Sequence, residues 1–270
     1  MTDACLSRDL ADGIATLTLN RPDKSNAFDQ DMWRALREAL QWADDTPEVR
    51  VVLLTGAGKN FCAGIDLAML LNIQQAIHQE CEGRKREALR RLILQLQDDI
   101  SSLERCRKPV IAAIHGACIG GGIDLVTAAD IRFASADAYF AVREIDMGMT
   151  ADVGTLQRLP RIVGEGVARE LCLTGRRIDA AEAAQLKLVN QVFDSQDALL
   201  AHARQVAASI ASKSPLAVRG TKQVLNYSRD HSVADSLEYV ANWNAAMLLS
   251  NDIQQAVMAS MSKRTAQFAD

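Results

Sequence analysis

The sequence predicts an α/β fold with a largely parallel sheet, followed by a region of helices alone. Three observations predict it. Short apolar runs bounded by glycine or proline alternate with longer segments whose apolar residues recur with helical spacing. Several of the short runs are apolar throughout, as buried strands are. After about residue 195 the strand-like runs stop and the remainder reads as helix. The expected division is therefore 1–195 and 196–270, although no Pro-, Gly- or Ser-rich linker marks it and no repeat or low-complexity tract is present.

The elements follow in order. Gly13 to Asn20 reads as a strand, broken by Arg21-Pro22-Asp23-Lys24. From Asp29 the period changes: Met32, Ala35, Leu36, Ala39, Leu40 and Ala43 share one helical face. Val49 to Thr55 is a buried strand ended by Gly56-Ala57-Gly58, and the small-residue loop Phe61 to Leu67 enters another helix. Residues 82–105 form a charged helix, and Pro109 to His115 a further buried strand. The turn Gly120-Gly121-Gly122 then opens an apolar helix. Ile131 to Ala134 and Ala138 to Val142 read as short strands. Two helices around 153–174, a third at 180–187 and the strand Val189 to Phe193 complete this part. Residues 197–212 and the long run 231–262 belong to the helical region.

Composition sets limits. The chain has 270 residues, 49% of them apolar, enough for a large core. A net charge of −4 gives no global basic field for nucleic acid or anionic lipid. Six cysteines at 5, 62, 81, 106, 118 and 172 form no C-x-x-C pair and no zinc spacing with histidine, so they read as reduced thiols. Residues 1–13 carry no basic, then apolar, leader pattern, and the final residues are no peroxisomal address, so a cytoplasmic location is expected. Val110 to Ala129 is long and apolar enough to suggest a membrane span, but four glycines and Asp124 argue for a strand, a turn and a helix instead.

Several motifs fail. Gly58-Lys59 would be a phosphate loop only with Gly at Leu53 and Ser or Thr at Asn60. Gly56 and Gly58 would begin a dinucleotide fingerprint only with Gly at Phe61. No H-E-x-x-H or G-x-S-x-G occurs, and His78, His115, His202 and His231 have no metal-binding spacing, so no metal is expected. Arg84, Lys85, Arg86, Arg90 and Arg91 crowd one helix, yet Glu82 and Glu87 interleave them and no aromatic residue offers a base a stacking surface. A solvated face is the simpler reading, and nucleic acid is not an expected partner.

Glycine and carboxylate together suggest chemistry. Glycine lets backbone approach a ligand closely, and N–H groups at a helix start feel the positive end of its dipole. Gly120-Gly121-Gly122 opens such a helix, and Ala63-Gly64-Ile65 follows the strand 49–55. Two N–H groups converging on one oxygen make an oxyanion hole, suited to a thioester that becomes an enolate. Tight turns and close packing are the alternative use of the same glycines. Three acids stand in apolar surroundings: Asp124, Glu144 and Asp152. Burial raises a carboxyl pKa and allows proton exchange near neutrality. Each also has a structural reading: Asp124 in the first turn of its helix, Glu144 paired with Arg143 or another cation, and Asp152 as a helix N-cap. Asp130 and Asp146 lie close in sequence and remain open.

At these residues the chain resembles the crotonase (enoyl-CoA hydratase/isomerase) superfamily. The resemblance is carried by Arg21-Pro22 with Asn26-Ala27, by FCAGIDL at 61–67, by KPVIAAIHGACIGGGIDLVTAADIRFAS at 108–135 and by LTGRRIDAAEAAQLKLVNQV at 173–192. It spans about residues 10–265 and implies a spiral of ββα units, a C-terminal helical trimerisation region over 196–270 and an acyl-CoA substrate. Homotrimers, or dimers of trimers, are the implied assembly, with no cofactor beyond the coenzyme A of the substrate and no membrane partner. The implied oxyanion hole is the backbone N–H of Ile65 and of Gly121. Ala63, Gly64, Asp66 and Leu67 are the expected coenzyme A contacts of the loop, and Lys24 and Lys263 are the expected sources of positive charge for it. Relatives often carry Lys soon after the A-G-x-D turn, and Asp66-Leu67-Ala68-Met69 lacks it.

The acids sort the subfamilies. Hydratases typically carry Glu at the positions of Asp124 and Glu144, and a small residue at Asp152. The run VREIDMGMTADVGTLQRLP resembles the Δ3,5-Δ2,4-dienoyl-CoA isomerases instead. That resemblance implies that Glu144 takes a proton from C2, Asp152 delivers one at C6, and Asp124 tunes or orients the pair. A 2-enoyl-CoA hydratase using Asp124 and Glu144 is the nearest rival, and a nucleic-acid-binding relative using residues 84–91 is a more distant one.

Overall fold

The computed structural model describes residues 5–270, apart from the side chains of Gln74 and Ala76. Strands β1 (Leu6–Ala11) and β2 (Ile14–Leu19) form an antiparallel hairpin. Asp12 and Gly13 both take positive φ at its tip, +53° and +77°, the conformation that a two-residue hairpin of this twist requires. Sequence periodicity misses β1 because it is an edge strand, with only Leu6 buried. Helix α1 (Gln30–Asp45) starts where Asp29 accepts from the Met32 amide at 2.9 Å, and it buries Met32, Leu36, Ala39, Leu40 and Ala43. Next come β3 (Val51–Gly56), α2 (Leu67–Ala76) and α3 (Glu82–Arg105), which buries Leu96, Ile100 and Leu103.

The middle of the chain winds into a spiral. Strand β4 (Val110–Ile114) joins the main sheet, β5 (Ala117–Ile119) leaves it for a small second sheet, and α4 (Gly121–Ala128) returns the chain. The next turn repeats this with β6 (Ile131–Ser135) and β7 (Tyr139–Ala141), then α5 (Thr155–Val163) and α6 (Glu165–Thr174). A short β8 (Ile178–Asp179), α7 (Ala180–Gln185) and β9 (Gln191–Phe193) close it. The main sheet runs β1-β2-β3-β4-β6-β9, parallel from β2 onward; the small sheet runs β5-β7-β8. This is the ββα spiral that the resemblance implies.

The main sheet is buried on both faces, so its strands read as continuous apolar runs. Val52, Leu54, Val110, Ala112 and Ile114 pack with Leu36, Leu40, Ile100 and Leu103. Their neighbours Val51, Leu53, Ile111 and Ala113 point the other way, onto Leu199, Ala203 and Ala207 of α8 (Gln196–Ala211). Helix α9 (Pro215–Asp230) is tied down by Lys222, whose Nζ donates to the carbonyls of Leu103 and Lys108 and lies 2.7 Å from Asp130 Oδ2. The expected run 231–262 is two helices, α10 (Val233–Met247) and α11 (Asn251–Met261). Among the described residues no helix is long and apolar enough to cross a membrane; residues 110–129 divide into β4, β5 and α4.

Leu54 is 1% exposed at the centre of the sheet. Leu54→Ala is expected to cost about 2–5 kcal/mol of unfolding free energy, read from urea denaturation; a loss below half a kilocalorie would contradict this packing.

Candidate active site

The site begins with a loop zipped onto β5. Cys62 donates to the Ala117 carbonyl and accepts from the Ile119 amide, both at 2.9 Å. Buried Asn26 bonds through Nδ2 to the carbonyls of Ala57, Asn60 and Phe61, which explains its place in the Asn26-Ala27 motif. Gly64 has φ +90°, and a Cβ there would sit 2.9 Å from the Ile119 carbonyl oxygen and 3.2 Å from the Gly121 nitrogen. A Cβ on Gly121 would lie 3.7 Å from the Ile65 nitrogen. The two loops therefore touch through glycine.

Their amides divide into used and unused. Ala63 N–H donates to the Ser25 carbonyl, Asp66 N–H to that of Phe28, and Gly64 N–H to Cys62 Sγ. Among the described residues, the N–H groups of Ile65 and Gly121 donate to no backbone carbonyl. Gly121 is also the first residue of α4, where the helix dipole adds positive potential. This pair is the arrangement that an oxyanion needs.

The three acids converge nearby. Gly120 has φ +52°, and a Cβ there would lie 3.4 Å from Glu144 Oε1. Glu144 opens a 3-10 turn, Glu144–Met147, and the Arg143 guanidinium pairs with Asp146 at 2.7 Å rather than with Glu144. Its Oε2 is buried without a hydrogen-bond partner. Burial pushes its pKa up, and the charge of Asp152 adds to the effect. Asp124 is fully buried on α4. Its Oδ1 accepts from the Thr155 amide at 2.6 Å and the Thr155 hydroxyl at 2.8 Å. Burial nonetheless raises its pKa to about 7; the Thr155 hydrogen bonds lower it and Glu144 adds to the rise. Asp152 does not cap α5, whose N-cap is Gly154 with no side-chain bond. Its carbonyl accepts from Gln97 Nε2 at 2.6 Å, and burial raises its carboxyl pKa. Asp152 lies at a cleft of about 440 Å³ bordered by Gln97, Ser101, Glu104 and Arg158.

Other candidates fall away. Asp130 accepts from the Val110 amide and pairs with Lys222, so it anchors structure. Asp146 pairs with Arg143. His115 is a satisfied core residue, its Nε2 3.0 Å from the Gly58 carbonyl. Among the described residues no cluster of His, Cys, Asp or Glu could hold a metal ion. Lys85 and Arg86 lie beside Glu82 on an exposed helix face. Of the expected coenzyme A contacts, Asp66 caps α2 through the Ala68 amide and pairs with Arg21 at 3.0 Å, so its carboxylate is engaged in holding the loop. That amide, with Arg21 and Lys24, holds its pKa below the usual range. Leu67 is 58% exposed at the mouth of the loop. Lys263 follows α11, and no hydrogen bond or ion pair among the described residues ties it to residues 61–67.

Thr155 and Gln97 are the contributors that sequence reasoning misses. Gly154-Thr155 is a helix-start signal, but its partner lies 31 residues away on another helix. Gln97 reads as one more polar position on a charged helix.

A family model described as enoyl-CoA hydratase/isomerase matches residues 9–270. The peroxisomal Δ3,5-Δ2,4-dienoyl-CoA isomerase of Arabidopsis thaliana is 52% identical over 94% of this chain and 91% of its own length. The mitochondrial enzyme of that name from Mus musculus is 48% identical over 93% of this chain and 77% of its own. A crystal structure of an enoyl-CoA hydratase from Bacillus anthracis superposes with a TM-score of 0.88 at 32% identity, covering 98% of each chain. These names overturn the expected cytoplasmic location, since the relatives are peroxisomal and mitochondrial. A receptor reads an address from a short segment, so the features of residues 1–13 were no guide to compartment.

A carboxyl whose folded pKa is raised stabilises the fold fully below its unfolded value, 3.8 for Asp124, and loses that contribution as pH rises through about 7. Asp124→Asn is therefore expected to flatten the fall in unfolding free energy between roughly pH 4 and 7. Urea titrations at several pH values check this; an unchanged slope would contradict the burial of an ionisable Asp124.

Proposed function

The chain belongs to the enoyl-CoA hydratase/isomerase family, and from that premise we infer that it converts 3,5-dienoyl-CoA to 2,4-dienoyl-CoA. The observation that carries this reading over hydration is the third carboxylate, Asp152, close enough to Glu144 to raise its pKa and not engaged as a helix cap. Water addition has no use for a second proton carrier along the acyl chain.

In this reading Glu144 takes a proton from C2. The electron pair spreads over the thioester and the diene, and the amides of Ile65 and Gly121 hold the carbonyl oxygen as it gains charge. Asp152, whose carboxyl pKa burial raises, returns a proton at C6. The double bonds at C3 and C5 become double bonds at C2 and C4, the substrate loses no net proton, and proton exchange with solvent returns Glu144 to carboxylate and Asp152 to acid before the next turnover. Asp124 tunes the pair from behind. The raised pKa values support these roles, since a carboxyl exchanges protons best near the working pH. The reaction needs no cofactor beyond the coenzyme A of the substrate, which Lys24, Leu67 and the loop 61–67 would meet, with Lys263 a further candidate.

We further propose that residues 1–195 carry the acyl-CoA site and that 196–270 mediate assembly into trimers or pairs of trimers. Exposed Leu225, Leu237, Leu248, Leu249, Met258 and Met261 on and between α9, α10 and α11 support this, because a single chain leaves them in water.

Glu144→Gln is expected to abolish deuterium exchange at C2, a loss of at least about 10²-fold. Asp152→Asn should block diene formation by a similar factor while C2 exchange continues. Mass spectrometry of substrate held in heavy water reads both. An Asp152→Asn enzyme that isomerises at the wild-type rate would remove Asp152 from the path.

A further inference from the structure

We propose that Thr155 is a positioning residue for the proton transfer, fixing Asp124 through one carboxylate oxygen and leaving the other without a hydrogen-bond partner. The geometry is one-sided. Both donors of Thr155, its amide at 2.6 Å and its hydroxyl at 2.8 Å, fall on Asp124 Oδ1. Oδ2 is equally buried and has no partner, and the same holds for Oε2 of Glu144. Thr155 itself is fully buried, so its hydroxyl has no water as an alternative.

The bond also joins two parts of the site. Thr155 is the first residue of α5, three residues after Asp152. Asp124 stands three residues after Gly121 on α4. A helix-start amide favours a carboxylate, and α5 has no side-chain cap from its own Gly154, so Asp124 takes that place across the core. Thr155 thus holds the segment carrying the C6 proton donor in register with the helix carrying an oxyanion amide.

The charged and titratable groups facing Asp124 are Glu144 from the 3-10 turn, Arg158 from α5, and the thiols of Cys62, Cys118 and Cys172 from the loop, β5 and α6. Of these, Glu144 raises and Arg158 lowers the Asp124 pKa, and the Thr155 bonds oppose the effect of burial. Removing the hydroxyl while keeping the amide should therefore move Asp124 further up.

The activity arm of the test rests on the isomerase reading; a spectroscopic arm does not. Thr155→Val, Thr155→Ser and Asp124→Asn are compared with wild type. The protonated carboxyl stretch of Asp124, identified by its loss in Asp124→Asn, is followed by infrared difference spectroscopy against pH. Thr155→Val should shift that titration upward and move the acidic limb of the turnover profile the same way. It should lower kcat on a 3,5-dienoyl-CoA by about ten- to a hundredfold with KM little changed. Thr155→Ser, which keeps the donor, should restore both readouts. An unshifted stretch in Thr155→Val would overturn the proposal, and so would a Thr155→Ser enzyme shifted or slowed like the valine variant. A wild type without isomerase activity would sink the functional reading while the infrared titration still decides the hydrogen bond.

Discussion

The amides of Ile65 and Gly121 lie side by side only because Gly64 has no side chain. A methyl group on Gly64 would press against the Ile119 carbonyl oxygen at 2.9 Å, and the backbone there is at φ +90°, where other residues are strained. Everything around the two loops holds that contact. Parallel pairing of β3 with β4 delivers one loop beside the other, backbone β-bridge pairing of Cys62 with Cys118 joins them, and Asn26 fixes the first from behind. The amides of Ala63, Gly64, Asp66 and Gly120 are consumed, while those of Ile65 and Gly121 lie together without a backbone acceptor and mark one place for a polarised oxygen.

The second constraint is electrostatic. Three carboxylates, each with a raised pKa, lie within electrostatic reach in series: Glu144 raises the pKa of Asp124, and Asp152 that of Glu144. Burial outweighs the hydrogen bonds from Thr155, which is why Asp124 settles near 7 rather than in the ordinary carboxylate range. The nearby cations are occupied elsewhere. Arg143 pairs with Asp146, and Arg158 pairs with Glu104 at 2.7 Å. A cation bound directly to Glu144 would lower its pKa and weaken it as a proton carrier, so these diversions preserve the chemistry.

Much of this was legible in the sequence, for reasons that lie in particular residues. The buried strands show because β3 and β4 are apolar on both faces. The glycine loops show because only glycine tolerates their backbone, and the acids because they interrupt apolar runs. What stayed hidden depends on the fold. Strand β1 reads as polar because it lies at the sheet edge, and the Asp12-Gly13 turn was its one clear signal. The Asp152 cap was a sound local expectation, but the helix starts at Thr155 and takes Asp124 as its acceptor instead. No local pattern could join Asp124 to Thr155 or Gln97 to Asp152, because each pair meets only after the spiral has closed.

The account turns on whether protons move along the acyl chain or water adds to it. Purified protein given a 3,5-dienoyl-CoA and, in parallel, a 2-enoyl-CoA decides this most directly, with the conjugated 2,4-diene followed by ultraviolet absorbance and water addition by mass. The account predicts diene formation much faster than hydration. Hydration without diene formation would contradict it and leave Asp124 and Glu144 as the acid pair of a hydratase.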